Sequence, residues 1–138
     1  MNEQQVPGGI LWFRVSALLL GIGLLVWLAI EEQNVVSVLF FSGAICTWIA
    51  IRILFIPPTN SKQLLLRHVL VGIGAGLILA PLAILLMAIK TGIHGHGTPD
   101  FTVEQMQLVI SRIFVFTLSG LLLGLGSGIW RLARSRDD

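Results

Sequence analysis

Four apolar runs constrain this chain more than any other feature of it. They are "ILWFRVSALLLGIGLLVWLAI" from Ile10 to Ile30, "VVSVLFFSGAICTWIAIRILFI" from Val35 to Ile56, "RHVLVGIGAGLILAPLAILLMAI" from Arg67 to Ile89, and "LVISRIFVFTLSGLLLGLGSGIW" from Leu108 to Trp130. A bilayer core about 30 Å thick needs about 20 consecutive apolar residues of helix. No water at that depth can satisfy backbone N–H and C=O groups, so each run must satisfy its own, which it does as an α-helix. The expected fold is therefore all-α: an integral membrane four-helix transmembrane bundle forming a single domain over 1–138. Its helices are expected at about 10–30, 35–56, 67–89 and 103–130, with a loop over 91–102.

Composition agrees. Only 12% of the 138 residues are charged and mean hydropathy is +0.90, against about 25% charged in soluble domains. One water-soluble core of this size could not bury so much apolar surface. The first run lacks a basic leader segment and a small-x-small cleavage site before Glu31, so an uncleaved span is expected rather than a signal peptide. The single Cys46 excludes an internal disulfide.

Local signals set the helix ends. Pro57 and Pro58 stop the second span, because a proline disfavours helix in the residue before it. Thr102 with Gln105 reads as a capping box that opens the fourth helix near Val103. Pro81 removes the hydrogen bond to the Leu77 carbonyl and predicts a kink in the third helix.

Charge distribution predicts orientation. Arg14, Arg52, Lys62, Arg67, Arg131, Arg134 and Arg136 fall on one side of the spans, and only Lys90 and Arg112 on the other. The positive-inside rule then places both termini in the cytoplasm, and a prokaryotic cytoplasmic membrane is the expected home. The outer side collects Glu31, Glu32, Asp100 and Glu104. Arg112, four residues into the fourth run, has two readings: it snorkels outward to the headgroups, or it pairs with Glu104, Glu31, Glu32 or Asp100.

Lipid gives helices no hydrophobic reason to associate, so small residues must let them approach. The third helix has Gly72, Gly76 and Ala80 at four-residue spacing, with Gly74 between. The fourth has Gly120, Gly124 and Gly128, with Gly126 beside them. These faces are expected to pack on each other, or to form a groove for a partner protein, a lipid tail or a second copy. Ser16, Ser42, Thr47, Thr117 and Ser119 lie at depth, where hydroxyls bond their own helix backbone or a neighbouring helix. No ionisable residue occupies the middle of a span, which argues against proton-coupled transport.

"IHGHGTPD", residues 93 to 100, is the candidate site. His94 and His96, with Asp100 and Glu104 following, form an N/O set suited to zinc, copper or nickel. Gly92, Gly95 and Gly97 weigh against it, since ordering a flexible loop costs about 1–2 kcal/mol per residue. A polar turning loop is the first expectation and a divalent metal the second; no other cofactor is implied. No nucleophile is paired with a base. "VGIGAG" lies inside an apolar helix rather than after a strand, so it is no phosphate loop. Neither catalysis nor nucleic-acid binding is expected.

The expected function is that of a small subunit or accessory factor in a larger membrane complex, working through the glycine faces and the loop. The partners are the lipid bilayer and a second membrane protein, or another copy of the chain. The alternatives are an oligomeric small-solute transporter or channel with Pro81 as a moving part, and an outward-facing metal or pH sensor built on His94 and His96.

Overall fold

The structure is a computed structural model that describes residues 8–30, 33–55, 61–94 and 99–134. It contains five helices: α1 (Gly8–Ala29), α2 (Val35–Leu54), α3 (Ser61–His94), α4 (Val103–Ser111) and α5 (Ile113–Arg134). No strand occurs among the described residues. Four segments, Leu11–Ala29, Val35–Leu54, Gln63–Ile93 and Ile113–Arg134, are long and apolar enough to cross a membrane. The protein is all-helical and of membrane type.

Two compact units divide the chain, Met1–Glu31 and Glu32–Asp138. The first is α1. Its Ser16 hydroxyl donates to the Phe13 carbonyl at 3.0 Å, and it exposes Leu11, Leu18, Leu19 and Leu25. The second unit is organised around α3, against which α5, α2 and α4 all pack, α5 most extensively.

α2 starts at Asn34, whose side-chain oxygen accepts the Val36 N–H at 2.9 Å. That cap satisfies one of the donors a helix N-terminus leaves open. Val38, Ser42 and Cys46, one turn apart, form its buried stripe. The Ser42 hydroxyl donates to the Val38 carbonyl at 2.8 Å, so a fully buried polar group is satisfied within its own helix. Helix α2 ends at Leu54, where Phe55 N–H returns to the Ile51 carbonyl at 2.9 Å. Ile56, Pro57 and Pro58 lie outside the described residues.

Two expectations need correction. The third helix, expected over 67–89, spans 34 residues from Ser61 to His94, about 51 Å at 1.5 Å per residue. It passes through Pro81 as one helix and takes in 91–94, the start of the expected loop. The apolar run is only the central part of the helix. The polar residues on either side still extend the hydrogen-bond ladder, because nothing there interrupts it.

The fourth helix, expected as one piece over 103–130, is two. Arg112 has φ −92° and ψ 4°, outside the helical region. Its N–H bonds the Val109 carbonyl at 3.2 Å, a three-residue step. The Ser111 hydroxyl also reaches back three residues, to the Leu108 carbonyl at 2.8 Å. Serine back-bonding and 3₁₀ tightening together break the α-helical ladder. α5 then restarts with Phe116 N–H on the Arg112 carbonyl at 3.0 Å and runs on to Arg134.

The capping box is present. Gln105 N–H donates to the Thr102 hydroxyl at 3.3 Å, and Thr102 N–H to the Gln105 side-chain oxygen at 2.9 Å. Helix α4 has only nine residues, too few for stability by propensity alone. Thr102→Ala should therefore cost about 1 kcal/mol locally. Hydrogen exchange of the first-turn amides of α4 should quicken roughly five-fold while exchange in α5 stays as it was.

Candidate functional site

The contact between α3 and α5 is made backbone to backbone. A methyl group built on Gly72 would strike the Gly120 carbonyl oxygen, and would also lie 3.1 Å from Gly124 Cα. One built on Gly120 would strike the Gly72 carbonyl and lie 3.2 Å from Gly76 N. On Gly76 it would meet Phe116 and lie 2.7 Å from Thr117 Cα. On Gly124 it would strike the His68 carbonyl, and on Gly128 it would sit 2.9 Å from the Leu65 side chain and 3.2 Å from His68 Cβ. Each step of one turn along α3 is matched by a step of one turn back along α5, so the helices run antiparallel. Thr117, beside the seam, bonds its own helix at the Ile113 carbonyl, 2.7 Å away. Gly74 and Gly126, on other faces, have open space in front of them.

The seam face of α3 continues as Ala80, Ala83, Met87 and Lys90, all fully buried. Lys90 is the largest fully buried side chain among the described residues. Phe101 and Val109, before and within α4, are buried as well. Lys90 and Asp100 both have interaction partners. Counted by its place along the chain, Lys90 is a cation of the outer side, and that count does not register its burial. The alternating four- and three-residue spacing from Gly76 to Lys90 was the signal for its burial.

At the other end of the seam lies His68, 3% exposed, with Nδ1 2.8 Å from the Leu64 carbonyl. Facing a carbonyl, which can only accept, Nδ1 is the donor in this contact. His68 and Lys90 are 22 residues apart, about 33 Å along the helix, and no ionisable residue of α3 lies between them. That separation matches the hydrocarbon thickness. The two buried ionisable groups bracket the uncharged apolar stretch of α3.

The His68 end is also where α2 finishes, and arginines collect there. The Arg67 guanidinium donates to the Ile53 carbonyl, and Arg131 Nη1 donates to the Leu54 carbonyl at 3.2 Å. These carbonyls belong to the set a helix C-terminus leaves open, and cations there complement the helix dipole. Arg52 lies in the last turn of α2 and Arg134 in the last turn of α5. No carboxylate accompanies this group among the described residues. Beside it, between α2 and α3, is an open apolar groove of about 290 Å³.

The histidine loop gains little from the geometry. α3 ends at His94, whose side chain lies outside the described residues, as does all of His96. Asp100 is half-buried and Glu104 exposed in the first turn of α4. Among the described residues no three His, Cys, Asp or Glu side chains gather where they could hold a metal. Arg112 and Glu104 are not brought together by any contact seen among the described residues. They stand two turns apart, about 12 Å along the chain, and both are exposed; Glu31 and Glu32 lie outside the described residues.

No family model, curated protein or solved structure matches the chain.

The glycines divide cleanly into two sets, and the division can be measured. Gly72→Ala and Gly76→Ala force a methyl group onto rigid backbone and should each destabilise the protein by about 1–3 kcal/mol. Gly126→Ala meets nothing and should be neutral or stabilise by up to about 1 kcal/mol. Thermal unfolding in detergent should order the three variants accordingly.

Proposed function

We propose that the protein is a small subunit or accessory factor of a larger membrane complex, with its basic end and both termini on the cytoplasmic side of a prokaryotic-type membrane. The observation that carries this reading is the closed α3–α5 seam. Backbone packed on backbone makes one rigid hairpin and leaves no passage between the two helices. The glycine faces are used up inside the chain, so a partner would meet the outward face of the hairpin, where Phe114, Leu118, Leu122 and Leu123 are exposed. Ordered large side chains can pack against a second helix without the entropy cost of fixing a flexible loop. The cation excess at the Arg67 and Arg131 end supports the orientation.

Tagged protein extracted from its own membrane in mild detergent and examined by native mass spectrometry tests the reading. A stoichiometric foreign subunit is the expected result, weakened by Leu122→Ala with Leu123→Ala. A homo-oligomer or monomer with no foreign subunit, found again after chemical cross-linking in the membrane, would overturn it.

A further inference from the structure

The α2–α3 groove has an origin in the sequence. Helix α2 packs through Val38 and Ser42, and Gly43 faces the Leu79 side chain at 4.0 Å. From Cys46 onward small residues stand among the aliphatic ones on the facing surfaces. Cys46 and Ala50 on α2 stand opposite Gly74 and Ala75 on α3, and the space between the helices is left unfilled. The open face of Gly74 is part of that space. The groove continues to Ile53 and Leu70, so it extends about 12 Å along α3.

Its lining is apolar from end to end, and its mouth is not. Ile53 lines the groove, and the carbonyl of that same residue accepts from Arg67. Arg52 is the adjacent residue of α2, and Arg131 binds the next carbonyl, that of Leu54. An apolar slot thus opens beside the guanidinium groups of Arg67 and Arg131, which gather at the end of α2. An acyl chain matches the slot in polarity. A phosphate matches the guanidinium groups, which present planar N–H donors suited to phosphate oxygens. The two lie in the order in which a phospholipid carries them. A partner helix would need the groove but not the charge; a soluble anion would need the charge but not the groove.

We propose that the α2–α3 groove binds one anionic phospholipid, an acyl chain lying against Cys46, Ala50, Gly74 and Ala75 and its phosphate held by Arg52 and Arg67. Basic sites between membrane helices near the surface are suited to such headgroups. The proposal does not depend on the accessory-subunit reading, since a monomer could carry the lipid as well.

Full-length protein, stripped of lipid in detergent, would be titrated with phosphatidylglycerol and, separately, with phosphatidylcholine of the same acyl chains, and examined by native mass spectrometry. One phosphatidylglycerol should be retained per chain at least ten-fold more tightly than phosphatidylcholine. Gly74→Leu fills the groove from a position with open space in front of it and should abolish retention, while Gly126→Leu, on an open face of α5, should retain lipid as the parent does. Arg52→Gln should weaken phosphatidylglycerol binding at least five-fold and leave phosphatidylcholine unchanged. Equal retention of the two lipids by the parent, no retention of either, or unaltered binding by Gly74→Leu would each overturn the proposal. The comparison of the two lipids on the parent protein stands even if a variant fails to fold.

Discussion

Backbone contact between α3 and α5 is the constraint on which the second unit of this protein depends. In water, two apolar helices associate because association removes surface from solvent. In lipid that drive vanishes, and what remains is close packing between surfaces shaped to fit. Gly72, Gly76, Gly120 and Gly124 bring the helix axes close enough for one backbone to touch the other. Dispersion contacts are individually tiny, and a gap of about 0.5–1 Å already forfeits a quarter to a half of each, so the close approach depends on the glycines at its centre. The same demand explains why the face continues through Ala80 and Ala83 before larger side chains enter at Met87.

The polar groups are arranged around that seam rather than along it. His68 closes one end and Lys90 the other, each buried, with an uninterrupted apolar stretch of α3 between them. A charge buried within lipid is costly, and at the headgroup level the cost falls. Placing the ionisable groups about 33 Å apart lets each lie near an interface while its neighbours exclude lipid from it. Arg67 and Arg131 act at the same level differently. They cross from α3 and α5 to the last carbonyls of α2, tying the end of a helix that otherwise joins the unit through its other half.

How far the sequence alone reveals this depends on the kind of information involved. The spans were legible because length and apolarity are summed along the chain. The capping box at Thr102 and Gln105 was legible because its partners are three residues apart. The glycine spacing indicated which faces were smooth. The burial of Lys90 does not show in a count of charges by their place along the chain, because such a count ignores their direction around the helix. The break at Arg112 was missed because it arises from a competition for carbonyls between the Ser111 hydroxyl and the helical ladder, which apolar patterning does not register. The link from Arg67 to Ile53 joins residues brought together only after α2 and α3 have packed, and no local pattern announces it.

The two sets of glycines also show why a small-residue motif is weak evidence of function by itself. Gly72 and Gly74 differ by two residues and thus by about 200° around a helix with 3.6 residues per turn. One is pressed against the backbone of α5; the other opens onto empty space beside α2. A smooth face pressed on another smooth face has completed its task within the fold. A smooth face that borders an unfilled groove, with cations at the groove's mouth, has not, because lipid or protein must occupy volume that the chain itself leaves. In a bilayer no groove of this size stays empty, so the question for such a surface is which molecule fills it best. Arg52 and Arg67 bias that competition toward molecules that carry a phosphate.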